Sequence, residues 1–125
     1  MEATRRFLPR PESASLARRF VLSALGGWGQ EATDVVALLT SEVVTNVVMH
    51  AGPHLPGELL LVGVTRTTVG VRVEVTDGHP GIPVVGHGGA DQLSGRGLLF
   101  LDALAKAWGV VPNDAGKVVW FEVEA

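Results

Sequence analysis

Three polar residues interrupt a long apolar stretch at a regular interval: Glu42, Asn46 and His50. Their spacing is i, i+4, i+8, so on a helix they share one face within about 80°. A carboxylate, a carboxamide and an imidazole in one column, surrounded by valine and leucine, are costly to bury unless something uses them. One reading is a solvated helix edge. The other is a ligand pocket, with Glu42 as a proton acceptor and Asn46 as a neutral oxygen ligand for a hard cation. Asp77 stands where an alternating run (VRVEVTD) breaks into Gly78-His79-Pro80-Gly81. A carboxylate there can accept hydrogen bonds from an amine on a flat ligand, or it can be an ordinary turn aspartate. Gly95-Arg96-Gly97-Leu98 closes a glycine-rich loop and opens a helical pattern. Glycine lets backbone approach phosphate oxygens, helix N-terminal N–H groups attract anions, and Arg96 adds positive charge. The spacing GxxxxGK[ST] of a Walker loop is absent.

These groups need elements to hold them. Residues 12–25 predict a helix, since Ala17, Phe20, Val21, Ala24 and Leu25 repeat on one stripe before Gly26, Gly27 and Gly29. Residues 31–51 predict a second helix. Their β-branched content favours strand, but a run of this length without Gly or Pro exceeds a typical strand, and Val36, Leu39, Val43 and Val47 keep helical spacing. Residues 58–65 and 69–76 predict antiparallel strands joined at Arg66-Thr67-Thr68. In the second, Val69, Val71, Val73 and Val75 take one face and Arg72, Glu74 and Thr76 the other. Residues 78–94 have no periodicity, and a loop of that length in a small domain is usually functional. Residues 97–108 return to helix through Leu98, Leu101, Leu104, Ala105 and Trp108. Residues 109–112 and 117–123 form a last hairpin. Helices segregated on a mostly antiparallel or mixed sheet make an α+β two-layer sandwich.

Composition bounds the rest. The 125 residues suit one domain, 1–125. Hydrophobic residues make up 46% and charged residues 18%, which excludes disorder as the default. No uninterrupted apolar run reaches the length of about 18 residues that marks a membrane span. With no cysteine, disulfides, thiolate metal sites and thiol catalysis are excluded. Five arginines against Glu2 and Glu12 give residues 1–19 a charge of +3 within a chain of net −3. No apolar stretch of signal-peptide length follows them, so a cytoplasmic protein is expected. The overall acidity argues against a life on nucleic-acid phosphates. His54 and His87 lie in glycine- and proline-rich loops without a carboxylate pair for a transition metal. Trp28, Trp108 and Trp120 read as core or interface anchors.

Taken in order, ExxxNxxxH on a helix, Asp at a strand end, a glycine-rich loop and GxG at a helix start resemble the GHKL ATPases. That superfamily, of the Bergerat ATP-binding fold, includes the histidine-kinase ATP-binding domain and the bacterial anti-sigma-factor serine kinases. LLTSEVVTNVVMHAG, VRVEVTDGHPGIP, SGRGLLFLDALAKAWGV and GKVVWFEVE look like the small anti-sigma type. The resemblance spans roughly residues 5–123. It implies Glu42 as general base, Asn46 as the Mg2+ ligand, His50 lining the pocket and Asp77 accepting the adenine amine. It further implies Gly81 as the last glycine of a DxGxG box, residues 82–94 as a lid, and Gly95, Arg96, Gly97 and Leu98 as the phosphate-cradling box. The implied cofactors are ATP and Mg2+, and the implied partners are a sigma factor and a serine-bearing antagonist protein. Homodimerisation through the sheet is implied too, with Phe7 and Leu8 as an edge strand. His79, Val47 and Val118 depart from the family pattern on the adenine side. They motivate the alternative of a non-catalytic module that sequesters a regulator.

Overall fold

The computed structural model describes residues 2–50, 59–77, 95–113 and 116–124; within these, positions 50, 95–98, 113 and 116 are described by backbone alone. Eight elements follow in order: β1 (Ala3–Phe7), α1 (Ser13–Ser23), α2 (Gln30–His50), β2 (Leu60–Arg66), β3 (Gly70–Asp77), α3 (Gly95–Leu104), β4 (Ala107–Asn113) and β5 (Gly116–Glu124). The strands form one sheet in the order β1-β2-β3-β5-β4, and every neighbouring pair is antiparallel. The helices cover one face, which gives the α+β two-layer sandwich expected from the sequence.

Alternation builds the covered face. Leu60, Val62 and Val64 of β2, Val71, Val73 and Val75 of β3, and Val119, Phe121 and Val123 of β5 all point inward and are buried. Against them α2 lays Val36, Leu39, Val43, Val44 and Val47, and α1 adds Ala17 and Val21. β-branched residues are mediocre helix formers, so packing rather than propensity holds α2. By length and composition the segment Gln30–Met49 would suffice to cross a membrane, with a mean hydropathy of 1.4. The absence of a membrane-length segment expected from run length therefore does not hold on hydropathy alone. In this fold the apolar side of α2 is turned onto the sheet.

The other face of the sheet carries Trp120, which is half-buried. Its ring lies over Gly109 on β4, where a Cβ would come within 2.8 Å of the indole nitrogen. Arg72 caps the same ring at 4.1 Å, and its Nε donates to Glu74 at 2.9 Å.

Several elements differ from the sequence reading. Residues 3–7 form a strand, β1, that pairs with β2; its Phe7 packs on Phe20 of α1 at 6.1 Å, while Leu8 lies beyond the strand and is exposed. Ser13, at the start of α1, donates its hydroxyl to the Leu8 carbonyl at 2.6 Å and ties the two elements together. Val69 is exposed and precedes β3. Trp108 belongs to β4 rather than α3, because α3 stops at Leu104 and the Lys106 N–H already donates to the Glu122 carbonyl of β5 at 2.8 Å. The Trp108 indole then reaches back to Asp102 Oδ1 at 2.8 Å.

Candidate functional site

Among the described residues the buried polar side chains are few, and most gather at one end of the molecule. Glu42, Asn46, Asp77 and Lys117 are between 2% and 8% exposed. Glu42 and Asn46 interrupt the valine column of α2 one turn apart. The Asn46 amide donates through Nδ2 to the Glu42 backbone carbonyl at 2.8 Å. Because a carbonyl can only accept, this contact fixes which end of the amide is nitrogen. Oδ1 is therefore the end turned off that carbonyl.

Asp77 ends the inward row of β3, after Val71, Val73 and Val75. Lys117 begins the inward row of β5, before Val119, Phe121 and Val123. The two are register partners on neighbouring strands, so their side chains share the helix-covered face. Burial pushes the Lys117 ammonium below the ordinary lysine value of 10.5, and the Asp77 carboxylate pulls it partly back.

Element directions bring these groups together. At the far end of the molecule a cleft of about 640 Å³ is lined by Glu31, Val35, Leu104, Lys106, Val123 and Glu124, among others. The start of α2, the end of α3 and the end of β5 therefore meet there. Travelling back from that cleft, α2 climbs from Val35 to Asn46 over about 16 Å, α3 descends from Leu104 to Gly95 over about 14 Å, and β5 retreats from Val123 to Lys117 over about 20 Å. Glu42, Asn46, Asp77, Lys117 and the first turn of α3 consequently occupy the same opposite end. Gly95, Arg96, Gly97 and Leu98 form that first turn, two residues earlier than expected. Its backbone N–H groups have no intrahelical partner by construction. Of His50 only the backbone, as the last residue of α2, is described. Gly81, His79 and the expected lid at 82–94 lie outside the described residues.

Two departures noted in the sequence take different places. Val47 is fully buried in the core of α2. Val118 pairs with Thr76 and Val111 on the uncovered face of the sheet. The residue presented beside Asp77 is Lys117, which sequence reasoning missed. The signal was available, since counting back by two from Phe121 and Val119 puts 117 inward.

The donor set suits a magnesium nucleotide. Glu42 and Asn46 offer oxygen atoms, the preference of a hard cation. The described residues contain no cluster of three or more His, Cys, Asp or Glu that would cage a metal. Asp77 adds a carboxylate acceptor at the same end, and the glycine-rich start of α3 adds backbone N–H groups.

An uncharacterized protein of Streptomyces coelicolor is 39% identical over 72 residues, which cover 56% of this chain and 67% of that protein. The family model for the histidine kinase-like ATPase domain matches residues 7–123. With that match over nearly its whole length, on a fold that gathers an acid, an amide and a strand-end aspartate at one end, the chain belongs to the histidine kinase-like ATPase domain family.

Proposed function

We propose that this chain is an ATP- and Mg2+-dependent protein serine kinase of the anti-sigma type. It would hold a sigma factor inactive in the cytoplasm and phosphorylate a serine of an antagonist protein in a partner-switching system. The observation that supports this reading is the pairing of Glu42 with Asn46, one helical turn apart and both buried, at the same end as Asp77.

Bound Mg-ATP supplies the phosphoryl group and the divalent charge that offsets its negative oxygens. The chain's own residues do the rest. Asp77 accepts from the base amine through its carboxylate. Asn46 offers Oδ1 to the cation. The first turn of α3 points backbone N–H groups at the phosphate end. Glu42 takes the proton of the incoming serine hydroxyl onto its carboxylate. Phosphoryl transfer needs positioning and charge stabilisation more than covalent chemistry, so this small set suffices.

A second reading is favoured by Val47, which follows Asn46 on α2, is fully buried and adds bulk beside it. In that reading the chain is a non-catalytic module that binds a regulator with nucleotide as a structural element or without it. Titration calorimetry with Mg-ATP, run on wild type and Glu42→Gln, separates the two. The kinase reading expects both proteins to bind and the variant to lose a hundredfold or more of its γ-phosphate transfer, the usual scale for a general base. Absence of binding by wild type would overturn it in favour of the module.

A further inference from the structure

We infer that the groove between β1 and α1 docks an extended acidic segment of a partner protein, which adds to the free edge of β1 as a further strand. The inference stands apart from the nucleotide reading above.

Its first support is the shape of the place. β1 begins the sheet order: it pairs with β2 on one side and with no other described strand on the other. Such an edge presents unpaired backbone N–H and C=O groups. Its five residues offer about 17 Å of edge. Beside it, Leu16, Arg19, Phe20 and Ser23 fall at i, i+3, i+4 and i+7, one stripe of α1. With Arg5, Arg6 and Phe7 of β1 they line a groove of about 650 Å³. A bare strand edge backed by side-chain pockets is the arrangement that binds extended peptides by strand addition.

Its second support is charge. The floor is apolar: Phe7 packs on Phe20 at 6.1 Å, and Leu16 is 49% exposed. The rim is cationic, with Arg5 lying over the Phe20 ring at 5.3 Å and Arg6 and Arg19 exposed. Among the described residues none of these three arginines has a carboxylate partner. Glu2 is engaged elsewhere, accepting from the Arg66 N–H at 3.1 Å. No described acid lines the groove, although the chain as a whole is net −3. Arginine on an edge strand discourages neutral and basic strands. A second copy pairing through its own β1 would set arginine against arginine, which is costly. A segment of carboxylates alternating with apolar residues meets both demands. Its alternate side chains face opposite ways, so the apolar set reaches the phenylalanine floor while the carboxylates meet arginine forks.

The probe is a fluorescein-labelled octapeptide of alternating glutamate and valine, titrated into the whole chain and read by anisotropy. Wild type is expected to bind it at least tenfold more tightly than the lysine–valine counterpart. Methylating the backbone nitrogens of either the valines or the glutamates tests strand pairing, since an added strand turns only one of those two sets toward β1. One methylated peptide should lose tenfold or more and the other little. Arg6→Glu combined with Arg19→Glu, both exposed, should weaken the parent peptide at least tenfold, and thermal melts confirm that the fold is kept. Equal binding of the acidic and basic peptides, or an unchanged affinity in the double variant, overturns the inference. Equal binding of both methylated peptides and the parent excludes strand addition and overturns it too. If labelled oligothymidylate or phosphatidylserine vesicles bind and the peptide does not, the groove is a nucleic-acid or membrane surface instead. If the peptide does not bind and sedimentation shows a dimer that Arg6→Glu alters, a second copy fills the edge, and the inference is again overturned.

Discussion

The Asn46 side-chain amide donates to the backbone carbonyl of Glu42, one helical turn back along α2, at 2.8 Å. This bond ties the candidate cation ligand to the residue that carries the candidate base. It also separates two roles for Asn46, the one seen toward its own helix and the one proposed toward a ligand. Asn46→Ala removes both and should cost about 1 kcal/mol of stability for the lost buried hydrogen bond. Asn46→Asp places an acceptor against the Glu42 carbonyl and should cost more, about 1–3 kcal/mol, although it keeps an oxygen for a cation. Urea unfolding checks the order. Nucleotide titration with and without Mg2+ should show affinity in Asn46→Ala that no longer responds to the metal.

The glycines of the sheet give a graded test of packing. At Gly70 a Cβ would lie 1.9 Å from the Val123 carbonyl oxygen, and backbone cannot swing aside. At Gly109 it would meet the Trp120 ring at 2.8–3.1 Å, and a side chain can shift. At Gly26 nothing lies within 4 Å. Gly70→Ala should therefore destabilise most, by about 3 kcal/mol or more, and Gly109→Ala by about 1–3 kcal/mol. The latter should also change Trp120 fluorescence as the ring leaves its place under Arg72. Gly26→Ala should stay within about 0.5 kcal/mol of wild type.

The two-layer arrangement was legible wherever hydrophobic period and length agreed. α2 is the clearest case: the spacing of Val36, Leu39, Val43 and Val47 outweighed the strand preference of its valines, and the core face is where those residues sit. β1 was hidden because Ala-Thr-Arg-Arg-Phe carries only one large apolar residue and no alternation, so its strand state comes from pairing with β2 rather than from local preference. The end of α3 was obscured because Leu101, Leu104, Ala105 and Trp108 keep helical spacing past the last helical residue; pairing with β5 takes over there, a tertiary effect that period cannot report. In the candidate site, the gathering of Glu42, Asn46 and Asp77 as buried polar residues could be expected from types and spacing. Lys117 could be found only by asking which face of β5 it shares with Asp77.

Stability should depend on pH through Lys117. Its folded-state proton affinity lies below the ordinary lysine value of 10.5, so between the two the unfolded chain binds more protons than the folded one. Stability must then rise with pH across that window, and the destabilising cost of the buried charge is in full force below it. The chain has no tyrosine and no cysteine, so neither a phenol nor a thiol contributes there. Urea midpoints measured as pH rises toward 10.5 should climb more steeply for wild type than for Lys117→Met. Equal slopes would show that Lys117 keeps its ordinary proton affinity.

Thr40 offers the reverse case, a substitution that should strengthen the fold. It lies on α2 two residues before Glu42 and is fully buried. Among the described residues its hydroxyl has no hydrogen-bond partner. A buried hydroxyl without a partner forfeits its hydration, at about 1–3 kcal/mol, and gains nothing in return. Valine has nearly the same shape and no polar atom, and the surrounding Val36, Val43 and Val44 already form an apolar wall. Thr40→Val should therefore raise stability by about 1 kcal/mol, read as a higher urea midpoint at unchanged m-value. If the variant is instead less stable, the hydroxyl has a bonding partner in solution, and with Glu42 only two residues away, a link to the site would be the first place to look.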